Sequence, residues 1–117
     1  DLIVVNLGTN DASYTRDHED RKEVFKQAYQ RFLRYLTGTH RGKPIVCVTN
    51  AMTDLLGYEI DEAIKAVRAE ENAPLYLMRF SDNEEGDGEG AVGHPSLIRH
   101  EKMAVQLSDW IRKKVIF

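Results

Sequence analysis

Short apolar runs alternate along the chain with longer segments in which apolar residues recur every three or four positions, a pattern that predicts strands and helices in turn. Leu2 to Leu7, Ile45 to Thr49 and Leu75 to Phe80 are the strand candidates, each a continuous apolar run without in-and-out alternation. Runs of that kind predict burial on both faces of a parallel sheet. From about Asp20 to Thr37 the residues Phe25, Tyr29, Phe32, Leu33 and Leu36 share one helical face. Asp20 and Glu23 have capping-box spacing, and Gly38 is the expected terminator. Ile60, Ile64 and Val67 mark a second helix, stopped by Asn72-Ala73-Pro74. Met103, Leu107, Trp110 and Ile111 form the stripe of a third, from about Ser96 to Val115. Gly8 to Asp17 reads as a polar loop. The order βαβαβα, with connections long enough for right-handed crossovers, predicts an α/β fold: a three-layer sandwich around a parallel sheet, in one domain spanning residues 1–117. Asp1-Leu2 opens inside the first strand without lead-in residues, so further polypeptide is expected ahead of it.

Composition narrows the function. With 42% hydrophobic and 30% charged residues, the 117-residue chain supports a core of moderate size. Its net charge of −3 and the scatter of its basic residues along helices exclude a phosphate-binding surface, so no nucleic-acid partner is expected. The longest apolar stretch is too short to cross a bilayer, and no membrane contact is expected either. Cys47 lies inside Pro44-Ile45-Val46-Cys47-Val48 and reads as a buried small residue rather than a nucleophile.

In an open parallel sheet, ligands collect beyond the carboxyl ends of the strands, which singles out the loops Gly8 to Asp17, Asn50 to Gly57 and Ser81 to Pro95. Gly8-Thr9-Asn10-Asp11 follows the first strand directly. A glycine there permits a sharp turn with room for a substrate carbonyl, and an asparagine amide can donate to the oxyanion of acyl transfer. The alternative is a turn in which Asn10 and Asp11 cap their own backbone. His94 is held between Gly93 and Pro95 at the mouth of the last helix, as a general base or as an exposed loop histidine. His18, His40 and His100 read as surface residues. Asn83, Glu85, Asp87 and Gly88 have the spacing of a calcium loop, but its twelfth position is His94 instead of a bidentate glutamate, so neither metal nor cofactor is expected. The run Asp82 to Gly90 reads as a solvated loop long enough to move over the site.

Val4-Val5-Asn6-Leu7-Gly8-Thr9-Asn10-Asp11 resembles the Gly-x-Asn-Asp block of the SGNH (GDSL-like) hydrolases, and His94-Pro95 resembles their last block. The resemblance implies that Asn10 donates to the oxyanion and His94 is the base, with Gly8 and Asp11 supporting the loop. Ala91 stands where the family's Asp-x-x-His has its aspartate. Asp87 could reach the ring only if the loop doubled over, and a backbone carbonyl could orient it instead. Such a dyad, with Asn6 to Asp11 and Gly93-His94-Pro95-Ser96, is similar to the acetylxylan esterases of carbohydrate esterase family two. That similarity implies a carboxylic ester hydrolase removing O-acetyl groups from carbohydrate, acetylated polysaccharide as substrate, and a secreted or periplasmic setting. It would let Tyr14 stack on a sugar ring; otherwise Tyr14 is an exposed loop residue.

The family's nucleophilic serine precedes the Gly-x-Asn-Asp block. Ser13, Ser81, Ser96 and Ser108 do not sit in a strand-to-helix turn; Ser96 reads as a helix start and Ser108 as an exposed or groove-facing helical residue. The serine is therefore expected upstream, and this chain alone is expected to be nearly inactive. In this flavodoxin-like fold the three strands and three helices are part of a larger sheet. Two further strands would lie beside Leu2 to Leu7, and without them an apolar edge invites self-association. The rival readings are a non-catalytic flavodoxin-like or receiver-like interaction module, and an SGNH lipase or thioesterase with Met52, Leu55 and Leu56 lining an apolar slot.

Overall fold

The computed structural model describes all 117 residues. Strands β1 (Ile3–Val5), β2 (Ile45–Thr49) and β3 (Leu75–Arg79) form one parallel sheet in the order β1-β2-β3. Helices α1 (Thr9–Thr15) and α2 (Glu19–Thr39) follow β1, α3 (Gly57–Glu71) follows β2, and α4 (Leu97–Lys114) follows β3 after a 3-10 turn at Ala91–Gly93. β2 is central because its sequence tolerates burial on both sides: four of its five residues are β-branched and all five are buried. Ile45 and Cys47 face the core shared with α2 and α3, while Val46 and Val48 face Met103 of α4. This is the expected three-layer sandwich. Pro44 and Pro74 close the lower rim, their carbonyls accepting from Ile3 N and Ile45 N at 3.0 Å each, so their missing N–H groups cost no ladder bond.

The structure shortens β1 and makes it an edge. Val5 is buried, but Val4 is 42% exposed and Leu7 53%, so burial on both faces holds for β2 and not for β1. That apolar edge is the surface on which the expectation of self-association rests. The segment read as the loop Gly8 to Asp17 is largely helical. α1 buries only Ala12 and Thr15 against its neighbours, too few apolar positions to show a period. α2 begins at Glu19, with His18 at its N-cap making no side-chain cap bond. Glu23 does not close a capping box but bonds Lys26 at 2.8 Å and Gln27 at 2.9 Å. Gly38 lies within the last turn of α2 rather than ending it. Phe32 stays 36% exposed while Thr37 is buried, bonding Glu71 Oε2 at 2.6 Å, because the buried row of α2 runs Phe25, Tyr29, Leu33, Thr37 and tertiary contact extends the helix.

Other boundaries fall where expected. Asn72 caps α3 in the left-handed conformation, its N–H reaching Arg68 O at 3.0 Å. Ser96 caps α4, its Oγ accepting from Arg99 N at 3.0 Å, and Ser108 is exposed with its hydroxyl donating to Ala104 O at 2.8 Å. Leu107, Trp110 and Ile111 pack around Met103 onto the outer face of the sheet.

Cys47 is fully buried in β2, and burial pushes its thiol up to about 11. Since the thiolate is the reactive form, Cys47 is expected to resist a disulfide reagent in the folded protein and to react at once in guanidinium. Stoichiometric labelling of the native chain within seconds would contradict this placement.

Candidate active site

The three singled-out loops meet at the carboxyl end of the sheet. A groove of about 360 Å³ there is lined by Asn6 and Thr9 beside β1, by His94, and by Met52, Met103 and Leu107. The structure thus brings the start of the Gly8 turn and the histidine loop to one hollow. Leu55 and Leu56 do not line it; Leu56 belongs to the core beneath α3. A hollow of about 420 Å³ lies at the other end of the sheet, between the C-terminal ends of α2 and α3, away from all three loops.

His94 has no carboxylate against it. Its Nδ1 lies 2.8 Å from the carbonyl of Ala91, the residue standing where the resemblance calls for aspartate. A carbonyl only accepts, so Nδ1 is the donor in this contact, and in the neutral ring that leaves the Nε2 lone pair free, without a partner in the chain. The same carbonyl accepts His94 N–H at 3.1 Å. A backbone oxygen, one of the two possibilities in the sequence, is what meets the ring. The loop does double over, with Glu89 pairing to Pro95 in an antiparallel bridge. Asp87 nevertheless turns away from His94: its carboxylate takes Glu84 N–H at 2.8 Å and the Lys102 ammonium. These donors, Glu84 N–H first, hold its carboxyl below the usual carboxylate value.

Gly8 occupies φ +126°, a region closed to other residues, and a Cβ there would lie 3.6 Å from Ile60 Cδ1 and Phe25 Cζ. The turn after β1 therefore needs glycine on backbone grounds alone. Thr9, Asn10 and Asp11 form the first turn of α1; Asn10 and Asp11 are exposed, and Asp11 places its charge at the favourable end of the helix dipole. Asn10 does not itself line the groove that holds Thr9 and His94. Tyr14 is 65% exposed, with the Arg21 guanidinium 4.5 Å over its ring and bonded to its carbonyl at 2.9 Å, so one ring face is taken.

Sequence reading missed the residues behind His94. Arg99 is buried, donating to Ser81 O and to Asn50 O at 3.4 Å, with Nη1 unpartnered. The signal was its place one turn before Met103, on the stripe that α4 turns to the sheet. Asn50 adopts φ +62° and bonds Phe80 O at 3.0 Å and Asp82 Oδ1 at 2.8 Å, tying the ends of β2 and β3 together. The Asn50 amide and then Arg79 hold the Asp82 carboxyl low. No three His, Cys, Asp or Glu side chains converge where a metal could sit, and Asp87 is committed to Lys102 and Glu84.

No protein-family model matches the chain. The cellulase/esterase CelE of Acetivibrio thermocellus is 26% identical to it over 119 residues, covering 97% of this chain and 14% of that protein. Among solved structures, a family two carbohydrate esterase from Clostridium thermocellum, in complex with cellohexaose, matches 97% of the chain at 27% identity and a TM-score of 0.84. The chain is similar to a carbohydrate esterase of family two. The acetyl xylan esterase Est2A of the rumen bacterium Butyrivibrio proteoclasticus also matches over 97% of the chain, with a TM-score of 0.88, and its 20% identity speaks for the fold alone. The chain spans 35% and 36% of those two solved chains. It thus corresponds to a part of each of those proteins.

Proposed function

We propose that this chain is the oxyanion-and-base part of a carboxylic ester hydrolase that removes O-acetyl groups from carbohydrate. One observation carries the reading: His94 is held by a carbonyl in the tautomer that leaves Nε2 bare, in a groove shared with the start of the Gly-Thr-Asn-Asp turn. The nucleophile is a serine on polypeptide upstream of Asp1. Nε2 takes the Oγ proton as Oγ attacks the acetyl carbonyl, and Asn10 donates its amide to the oxyanion, with Gly8 giving room and Asp11 bracing the turn. Collapse expels the sugar hydroxyl, which receives the proton from His94. Water then attacks the acetyl-enzyme with the same base and releases acetate. The cellohexaose complex of the family two relative supports a carbohydrate on the alcohol side, and the free face of Tyr14 is the surface offered to a sugar ring.

The test is hydrolysis of p-nitrophenyl acetate by the longer, serine-bearing polypeptide, with this chain alone near background. Asn10→Ala is expected to lower kcat by about 10² to 10³. Unchanged rates in both Asn10→Ala and His94→Ala end the esterase reading. The apolar wall of Met52, Met103 and Leu107 favours a second reading, hydrolysis of longer acyl esters. An octanoyl ester cleaved faster than the acetyl ester would select it.

A further inference from the structure

The ring of His94 is oriented by a carbonyl of its own loop, so it is only as fixed as that loop. The loop does not fix itself. Val92, β-branched, is forced to φ +54°, ψ +45° while 92% exposed, and Gly93 follows at φ +71°. A strained turn without packing of its own persists only where its surroundings over-determine it. We infer that Asp87 is the positioning residue that does so, holding His94 through the backbone; the inference rests on reading His94 as the base.

Asp87 is 3% exposed and is the one buried residue between Ser81 and Gly90. It is fastened on three sides. Its carboxylate accepts Glu84 N–H at 2.8 Å while its own N–H donates to Glu84 O at 3.1 Å, which closes a turn. The other carboxylate oxygen takes the Lys102 ammonium. Its carbonyl accepts Ser96 Oγ at 2.6 Å, the same hydroxyl that caps α4. Asp87 is thus joined to α4 at Ser96 and again at Lys102, and the segment from 87 to 96 is shut at its base. Above that base, Gly90 N–H donates to His94 O at 2.8 Å, and the two arms run so close that a Cβ on Gly90 would lie 2.7 Å from Pro95 O. Each link passes the constraint from α4 towards the Ala91 carbonyl. An aspartate near the histidine thereby does the orienting work without touching the imidazole.

The test is the tautomer of His94, read from long-range ¹H–¹⁵N spectra of the labelled 117-residue chain. Nδ1–H is expected as its major neutral form, against the Nε2–H preference of an unconstrained histidine side chain. Asp87→Ala is expected to abolish that dominance while His18 and His40, at the two ends of α2, keep their signals. If Asp87→Ala unfolds the chain, Lys102→Met serves, removing one fastening from a half-buried position, and is expected to lower the Nδ1–H population. An unchanged His94 tautomer in a folded variant overturns the inference, as does an Nε2–H majority in the unsubstituted chain. Ester hydrolysis does not enter, so an inactive longer protein with a locked Nδ1–H ring sinks the proposed function alone, and an active one with a free ring sinks the clasp alone.

Discussion

Replacing His94 with alanine in the longer, serine-bearing polypeptide is expected to lower kcat for acetyl ester hydrolysis by about 10⁴, or about 5.4 kcal/mol in the barrier, with KM little changed. The size follows from what the ring does. It removes the proton from a hydroxyl that is otherwise a poor nucleophile, returns it to a sugar hydroxyl, and repeats the exchange with water. A base and its nucleophile act as a unit, so losing either removes nearly the whole contribution of both, and the remainder is what oxyanion donors and binding supply. KM should hold because His94 lies at the mouth of the groove, without a charge partner or packing role that would reshape it. A variant within tenfold of the parent kcat would remove His94 from the reaction and leave the Gly8 turn without its base.

The alternation of elements was legible because its physical cause is simple: a strand covered on both sides must be apolar throughout, as β2 is, and a helix on a sheet must show one apolar face, as α3 and α4 do. α1 was not legible because it buries only Ala12 and Thr15 and is otherwise solvated, so its composition is that of a loop. Arg99 was hidden for a related reason. A basic residue early in a surface helix reads as solvated, and only its register with Met103 betrays that it is turned inward, where the carbonyls of Asn50 and Ser81 receive it. Gly8 was legible as a turn, and its φ of +126° supplies the reason that no other residue would serve. The carbonyl beside His94 was half legible. The missing aspartate at Ala91 pointed to another acceptor, but its identity depends on the left-handed pair Val92 and Gly93, and nothing in Val92 itself announces that conformation.

Leu33→Ala is expected to cost about 3 to 5 kcal/mol of folding stability, against at most about 0.5 kcal/mol for Val24→Ala in the same helix. Leu33 has no exposed surface and sits among the thirteen residues of the larger core, whereas Val24 is 67% exposed. The alanine removes the transfer energy of the lost atoms and leaves a cavity that a well-packed α2–α3 layer cannot fully close. For a chain of this size the midpoint of thermal unfolding should fall by at least about 10 °C. Equal midpoints for the two variants would mean that α2 does not pack on the sheet through this face. The consequence reaches the site, since Phe25 of α2 and Ile60 of α3 are the side chains that close under Gly8. A slack core in that layer loosens the turn that carries Asn10, whereas the His94 loop is tied to α4 on the opposite face. At temperatures where the variant is still folded, the longer protein carrying Leu33→Ala should therefore lose oxyanion stabilisation, seen as a lower kcat, while the His94 tautomer stays as it is in the parent.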